Sequence, residues 1–120
     1  MIKRSSEIKA EVLTNFKGGT GDISKFHFMN EQESNGMGKQ FAKMVIPPGS
    51  SVGEHTHEGE IEAFYILKGQ GLASDNGQET ILEAGDSHIC FDGGSHSMKN
   101  VGDTDLEYIA IVLYSEQKNL

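Results

Sequence analysis

Apolar and polar residues alternate in short runs along most of this chain, and turns rich in glycine cut the runs apart. Alternation with a period of two marks strands whose successive side chains face opposite ways. The runs ISKFHFM (23–29), FAKMVI (41–46), EAFYIL (62–67), GLASD (71–75), QETILE (78–83), DSHICF (86–91), HSMKNV (96–101) and LEYIAIVLY (106–114) read as short strands, the first loosely alternating and others, such as 41–46 and 106–114, mostly apolar. They predict about eight or nine strands at the spacing of roughly 8–12 residues expected of a sandwich or barrel. Asn76-Gly77 lies between two of them and suits a type I′ hairpin turn. Ahead of the strands, residues 5–12 predict a short helix, with Ser5 or Ser6 as N-cap and Glu7 in the first turn. The glycines of KGGTG (17–21) then break the chain. The expected class is all-β, a jelly roll or closed barrel behind a short helical or extended N-terminal segment.

Several strands are apolar on both faces. Phe64 and Ile66 share a face with Glu62, while Tyr65 and Leu67 point away. Leu106, Tyr108, Ala110 and Val112 alternate with Ile109, Ile111 and Leu113. One small barrel has one interior, so the second face needs the N-terminal segment, a second sheet or another subunit to cover it. A homodimer is predicted on that ground.

A chain of 120 residues is one domain's worth. Acidic residues outnumber basic ones 18 to 10 and the basic ones are scattered, which argues against nucleic acid as a partner. No apolar run approaches the roughly 20 residues of a membrane span. With a single cysteine, Cys90, no internal disulfide can form, and a cytoplasmic protein is expected.

The densest chemistry is HTHEGEIE at 55–62. His55 and His57 are two apart and share a face in a strand. Glu62 is five beyond His57 and would face away in an unbroken strand, so a bulge or bend at Gly59 must return it. Two imidazoles and a carboxylate form a set common to non-haem iron and related divalent ions. His96, directly after a turn some 40 residues on, is a fourth candidate.

These residues carry a family resemblance. GSSVGEHTHEGEIEAFYILKG (49–69) matches the first cupin motif at Gly49, His55, His57, Glu62 and Gly69. GDSHICFDGGSHSMKN (85–100) resembles the second at Gly85, Gly93, His96 and Asn100, with Phe91 where the family usually has proline. The chain resembles the small single-domain conserved-barrel cupins, grouped as mannose-6-phosphate isomerase-like.

That resemblance implies a double-stranded β-helix over residues 1–120, with His55, His57, Glu62 and His96 as ligands of one divalent transition metal. Manganese or iron comes first, and nickel, zinc or copper are alternatives. Three imidazoles and one carboxylate leave a six-coordinate ion two open positions. Asn100 is expected to be structural.

The resemblance further implies a small metalloenzyme acting on an oxygenated, metal-chelating molecule, as a dioxygenase, decarboxylase or isomerase does. A non-catalytic module that binds a small molecule or metal is the alternative. Lys25, Lys39, Lys43, Lys68 and Lys99 form no cluster in sequence and the one arginine, Arg4, is near the start, so a sugar phosphate is disfavoured against a small organic acid.

Glu60, Phe64, His88 and Met98 are candidates to line the pocket or support the ligands. Glu58 and Glu60 read first as surface charges, Glu60 having the better claim to more because it shares parity with Glu62. His27 reads as structural and Cys90 as a small buried hydrophobe.

Overall fold

The computed structural model describes all residues 1–120. Ten strands follow in chain order: β1 (Ala10–Thr14), β2 (Asp22–Met29), β3 (Gly38–Ile46), β4 (Ser51–Thr56), β5 (Glu60–Lys68), β6 (Gln70–Asp75), β7 (Gln78–Glu83), β8 (Ser87–Cys90), β9 (Ser95–Asn100) and β10 (Leu106–Tyr114). All pairings are antiparallel and make two sheets. The larger runs β1-β2-β3-β10-β5-β8 and the smaller β4-β9-β6-β7. The all-β class read from alternation is the class observed.

The helix predicted over residues 5–12 does not form. Ser5–Glu7 makes one 3₁₀ turn with no side-chain cap, and Ala10–Thr14 is strand β1. Val12 and Leu13 supply β-branched and aliphatic side chains to an open sheet edge, and pairing with Asp22–Phe26 satisfies the backbone. The Asn76-Gly77 turn closes the β6–β7 hairpin with both residues at positive φ (49° and 88°), as type I′ geometry requires.

The core lies between the sheets. Ile23, Met44, Ile66, Leu106, Tyr108 and Ala110 of the larger sheet pack against Val52, Ala73 and Met98 of the smaller. Burial alternates along β5 and β10, with Phe64 and Ile66 inside and Tyr65 51% exposed. β1 extends the larger sheet edge-on, and Met1, Lys3 and Ile8 of the N-terminal segment reach its outer face only at the β2–β3 end, beside Phe28, Met29 and Phe41.

Asn100 is fully buried where β9 ends. Its Nδ2 donates to the Ile46 carbonyl at 2.7 Å and the Thr104 carbonyl at 2.8 Å, and its Oδ1 accepts from Gly102 N–H at 2.9 Å. It fastens one loop to the opposite sheet.

Candidate metal centre

The corner between β4 and β5 shapes the site. β4 ends at Thr56 in the smaller sheet and β5 begins at Glu60 in the larger. Gly59 turns the chain at φ 74°. Glu62 is therefore returned toward the histidines by a passage between sheets, not by a bulge within one strand. The other motif braces this corner: His57 N–H donates to the Gly94 carbonyl at 3.0 Å, and Gly93 N–H donates to the His57 carbonyl at 2.6 Å. With Phe91 in the proline position, the Phe91–Gly94 turn is closed by Gly94 N–H donating to the Phe91 carbonyl at 2.8 Å.

Four side chains meet here. His55 lies directly opposite His96 in the β4–β9 register. The ligating atoms of His55, His57, Glu62 and His96 all lie within 4.8 Å of one another. His57 Nε2 is 2.9 Å from Glu62 Oε1 and 3.0 Å from His96 Nε2. His96 Nε2 is 3.0 Å from Glu62 Oε1 and 3.1 Å from His55 Nε2. An octahedral ion with bonds of about 2.1 Å places neighbouring ligand atoms about 3 Å apart. The separations fit such an ion.

The outer ring nitrogens explain why a cation suits this cluster. His55 Nδ1 donates to the Gly53 carbonyl at 2.8 Å, and His57 Nδ1 to Glu60 Oε2 at 2.7 Å. His96 Nδ1 lies 2.9 Å from His88 Nε2. Burial first, and His96 beside it, lower the pKa of His88, so neutral His88 accepts from His96. Each imidazole thus spends its proton outward and turns a bare Nε2 lone pair inward. Three lone pairs and a carboxylate then face one another with no donor among them.

Without an ion, an imidazole can instead carry a second proton and turn it toward Glu62. Burial works to raise the Glu62 carboxyl, but in that state hydrogen bonds from His57 and His96, with His55 at 3.8 Å, outweigh it and hold the group well below the usual carboxylate range. His57 is raised by its hydrogen bond with Glu62, against desolvation and with help from Glu60.

The remaining candidates fall in different places. Glu60 is no surface charge: it is buried, accepts from His57 and pairs with Lys39 at 2.8 Å. Glu58 is exposed at the cavity rim. Phe64 lines the cavity and stacks on the His96 ring, centroids 5.1 Å apart at 19°. His88 stands behind His96, outside the cavity wall. Met98, expected in the wall, lies in the core instead, because the inner face of β9 turns it between the sheets. His27 is exposed and meets Glu11 at 2.9 Å. Cys90 is fully buried, its thiol directed at the Phe91 carbonyl.

The cavity over the quartet has a volume of about 390 Å³. Its wall includes Phe16, Lys17, Lys25, Gln40 and Tyr108, none of which the sequence pattern singles out as a group. Gln40 Nε2 donates to Glu62 Oε2 at 3.0 Å. Three lysines, Lys17, Lys25 and Lys39, reach this one cavity, although their positions in the chain show no cluster.

Comparison with known proteins agrees with this geometry. Residues 42–112 match the family described as the Cupin domain. The chain belongs to the cupin family. This cupin is 45% identical over 115 residues to a Thermotoga maritima protein named an oxalate-binding protein, covering 94% of this chain and 93% of that one. The crystal structure of a predicted oxalate decarboxylase from Thermotoga maritima superposes with a TM-score of 0.92 at 44% identity, covering 95% of the cupin and 99% of that chain. The polyketide cyclase RemF from Streptomyces resistomycificus shares the fold at TM-score 0.76 and 16% identity, covering 99% and 83% of the two chains.

Proposed function

We propose that this cupin binds a small dicarboxylate of the oxalate type through one divalent transition ion held by His55, His57, Glu62 and His96. The observation that carries the reading is the set of three inward Nε2 lone pairs and one carboxylate at the floor of a small cavity. Manganese or iron is the first choice of ion, with nickel, zinc and copper following. Such an ion supplies positive charge and open positions for a chelating carboxylate. The name of the 45% identical relative supports the ligand class.

Binding is favoured over turnover by the state of the cavity's acids. Glu62 is taken up by three imidazoles and Gln40, and Glu60 by His57 and Lys39. Decarboxylation needs a proton delivered to carbon, and only Glu58 at the exposed rim is free of partners. Protein loaded with Mn²⁺ should bind oxalate one to one by calorimetry, with no binding after chelation. Steady release of carbon dioxide and formate from oxalate would replace this reading with a decarboxylase. A metal-loaded protein indifferent to oxalate would overturn it.

We also propose that two copies pair through the outer face of the larger sheet. Tyr65, Leu67, Ile89 and Leu113 are exposed there beside Ile109 and Ile111. Apolar side chains on adjoining strands form the kind of continuous patch that association covers.

A further inference from the structure

Lys25 is a buried cation that the metal centre does not use. It lies on β2 with Glu11 of β1 and Met44 of β3 as its strand partners. It lines the same cavity as Glu62 and is 9% exposed. Of the other cavity lysines, Lys39 is neutralised by Glu60 at 2.8 Å. The Lys25 ammonium has no ion-pair or hydrogen-bond partner in the protein, and its close neighbour is the face of Phe16, 4.8 Å from Nζ to the ring centre. The Nζ atom itself stays open to the cavity, and an ammonium largely withdrawn from bulk water gains from an anion placed there. Desolvation accordingly lowers the Lys25 pKa, and the charges of Glu62 and Glu11 offset this only in part.

We infer that Lys25 receives the second carboxylate of the metal-chelated acid and makes the site select dianions over monoanions. This rests on the preceding reading that the ligand is a diacid held at the ion. Charge balance supports it. Glu62 contributes one negative charge, Lys25 one positive and a divalent ion two positive, with the imidazoles neutral, while Lys39 cancels Glu60 and Lys17 cancels Glu58 at the rim. The excess is two positive charges, which a dicarboxylate cancels and a monocarboxylate does not. A cation lining the same cavity as the ligands would also give the far oxygens a charge-assisted donor.

The chain fixes Lys25 in place through the strap of residues 15–21 between β1 and β2, which carries Phe16. Gly19 and Gly53 approach so closely that a Cβ on either would strike backbone of the other segment. Ser51 N–H donates to the Thr20 carbonyl and Thr20 N–H to Ser51 Oγ, each at 2.9 Å. The strap is thereby pinned to β4, the strand that carries His55. Phe16 is held over the cavity with the ammonium groups of Lys25 and Lys17 at 4.8 and 5.4 Å from its centre.

The test compares wild type, Lys25→Met and Lys25→Arg, each loaded with Mn²⁺. Metal content is read by elemental analysis and melting with and without metal by calorimetry. Oxalate, malonate, acetate and glycolate are then titrated. Lys25→Met should keep full metal content and melt no lower than wild type, while its oxalate affinity falls roughly 10- to 100-fold. Its acetate affinity should hold within about threefold, and Lys25→Arg should recover part of the oxalate loss. A metal-replete Lys25→Met that binds oxalate as wild type does overturns the role of Lys25 and leaves the functional reading standing. Equal proportional losses for oxalate and acetate overturn the selectivity. A metal-replete wild type that binds none of the four acids overturns the functional reading and this inference with it.

Discussion

His57 is gripped at both ring nitrogens, by Glu60 on one side and by Glu62 and His96 on the other. Because Glu60 orients the ring and raises its basicity, Glu60→Gln should weaken metal binding by roughly 10- to 100-fold with the fold intact, as read by competition with a chromophoric chelator. His96→Ala and Glu62→Ala go further and should abolish metal retention through gel filtration; full occupancy in both would overturn the ligand set. Cys90 gives a prediction of the opposite kind. Burial pushes its thiol from an ordinary 9.0 up to about 11, so it is protonated at pH 8 and shielded as well. Iodoacetamide at pH 8 should leave the native protein unlabelled and label it fully in urea. The sign is that of an acid raised by folding: the stability it contributes is intact below pH 9 and declines as pH climbs toward 11.

At the scale of elements, the strap and the corner matter more than strand lengths. Gly53→Ala forces the strap off β4, and an overpacked backbone crossing of this kind should cost about 1–3 kcal/mol in urea unfolding. It should also loosen the wall that holds Phe16 and Lys25. These contacts mark where sequence reading stops. His55, His57, Glu62 and His96 were legible because motif spacing is local and each strand carries its own alternation. The strand runs were legible for the same reason. The N-terminal strand was not: residues 5–12 lack a strong period, and pairing with the edge of β2, across the turn at 15–21, decided the conformation of residues 10–14. Lys17, Lys25 and Lys39 look scattered because they belong to a strap and two strands that only sheet order brings together. The reading of Glu60 as a surface charge failed because the chain crosses between sheets at Gly59 and turns that carboxylate inward.

For the whole molecule, the open face of the larger sheet predicts a solution mass of twice the 13.1 kDa chain by light scattering. Ile111→Asp, placed at the middle of that face between Phe41 and Ala63, should release monomers that keep the metal site. A monomer mass for wild type at every concentration would sink the dimer. The position of the four ligands has one more consequence. His55 and His96 belong to the smaller sheet and Glu62 to the larger, so an ion bound between them rivets two layers at the end opposite the Asn100 tie, where side-chain packing otherwise joins them. The end of the sandwich at the cavity mouth would then be its seam. Stripping the ion should let the layers part there first, with amide exchange quickening along β4 and the start of β5 while β6 and β10 near the core stay slow.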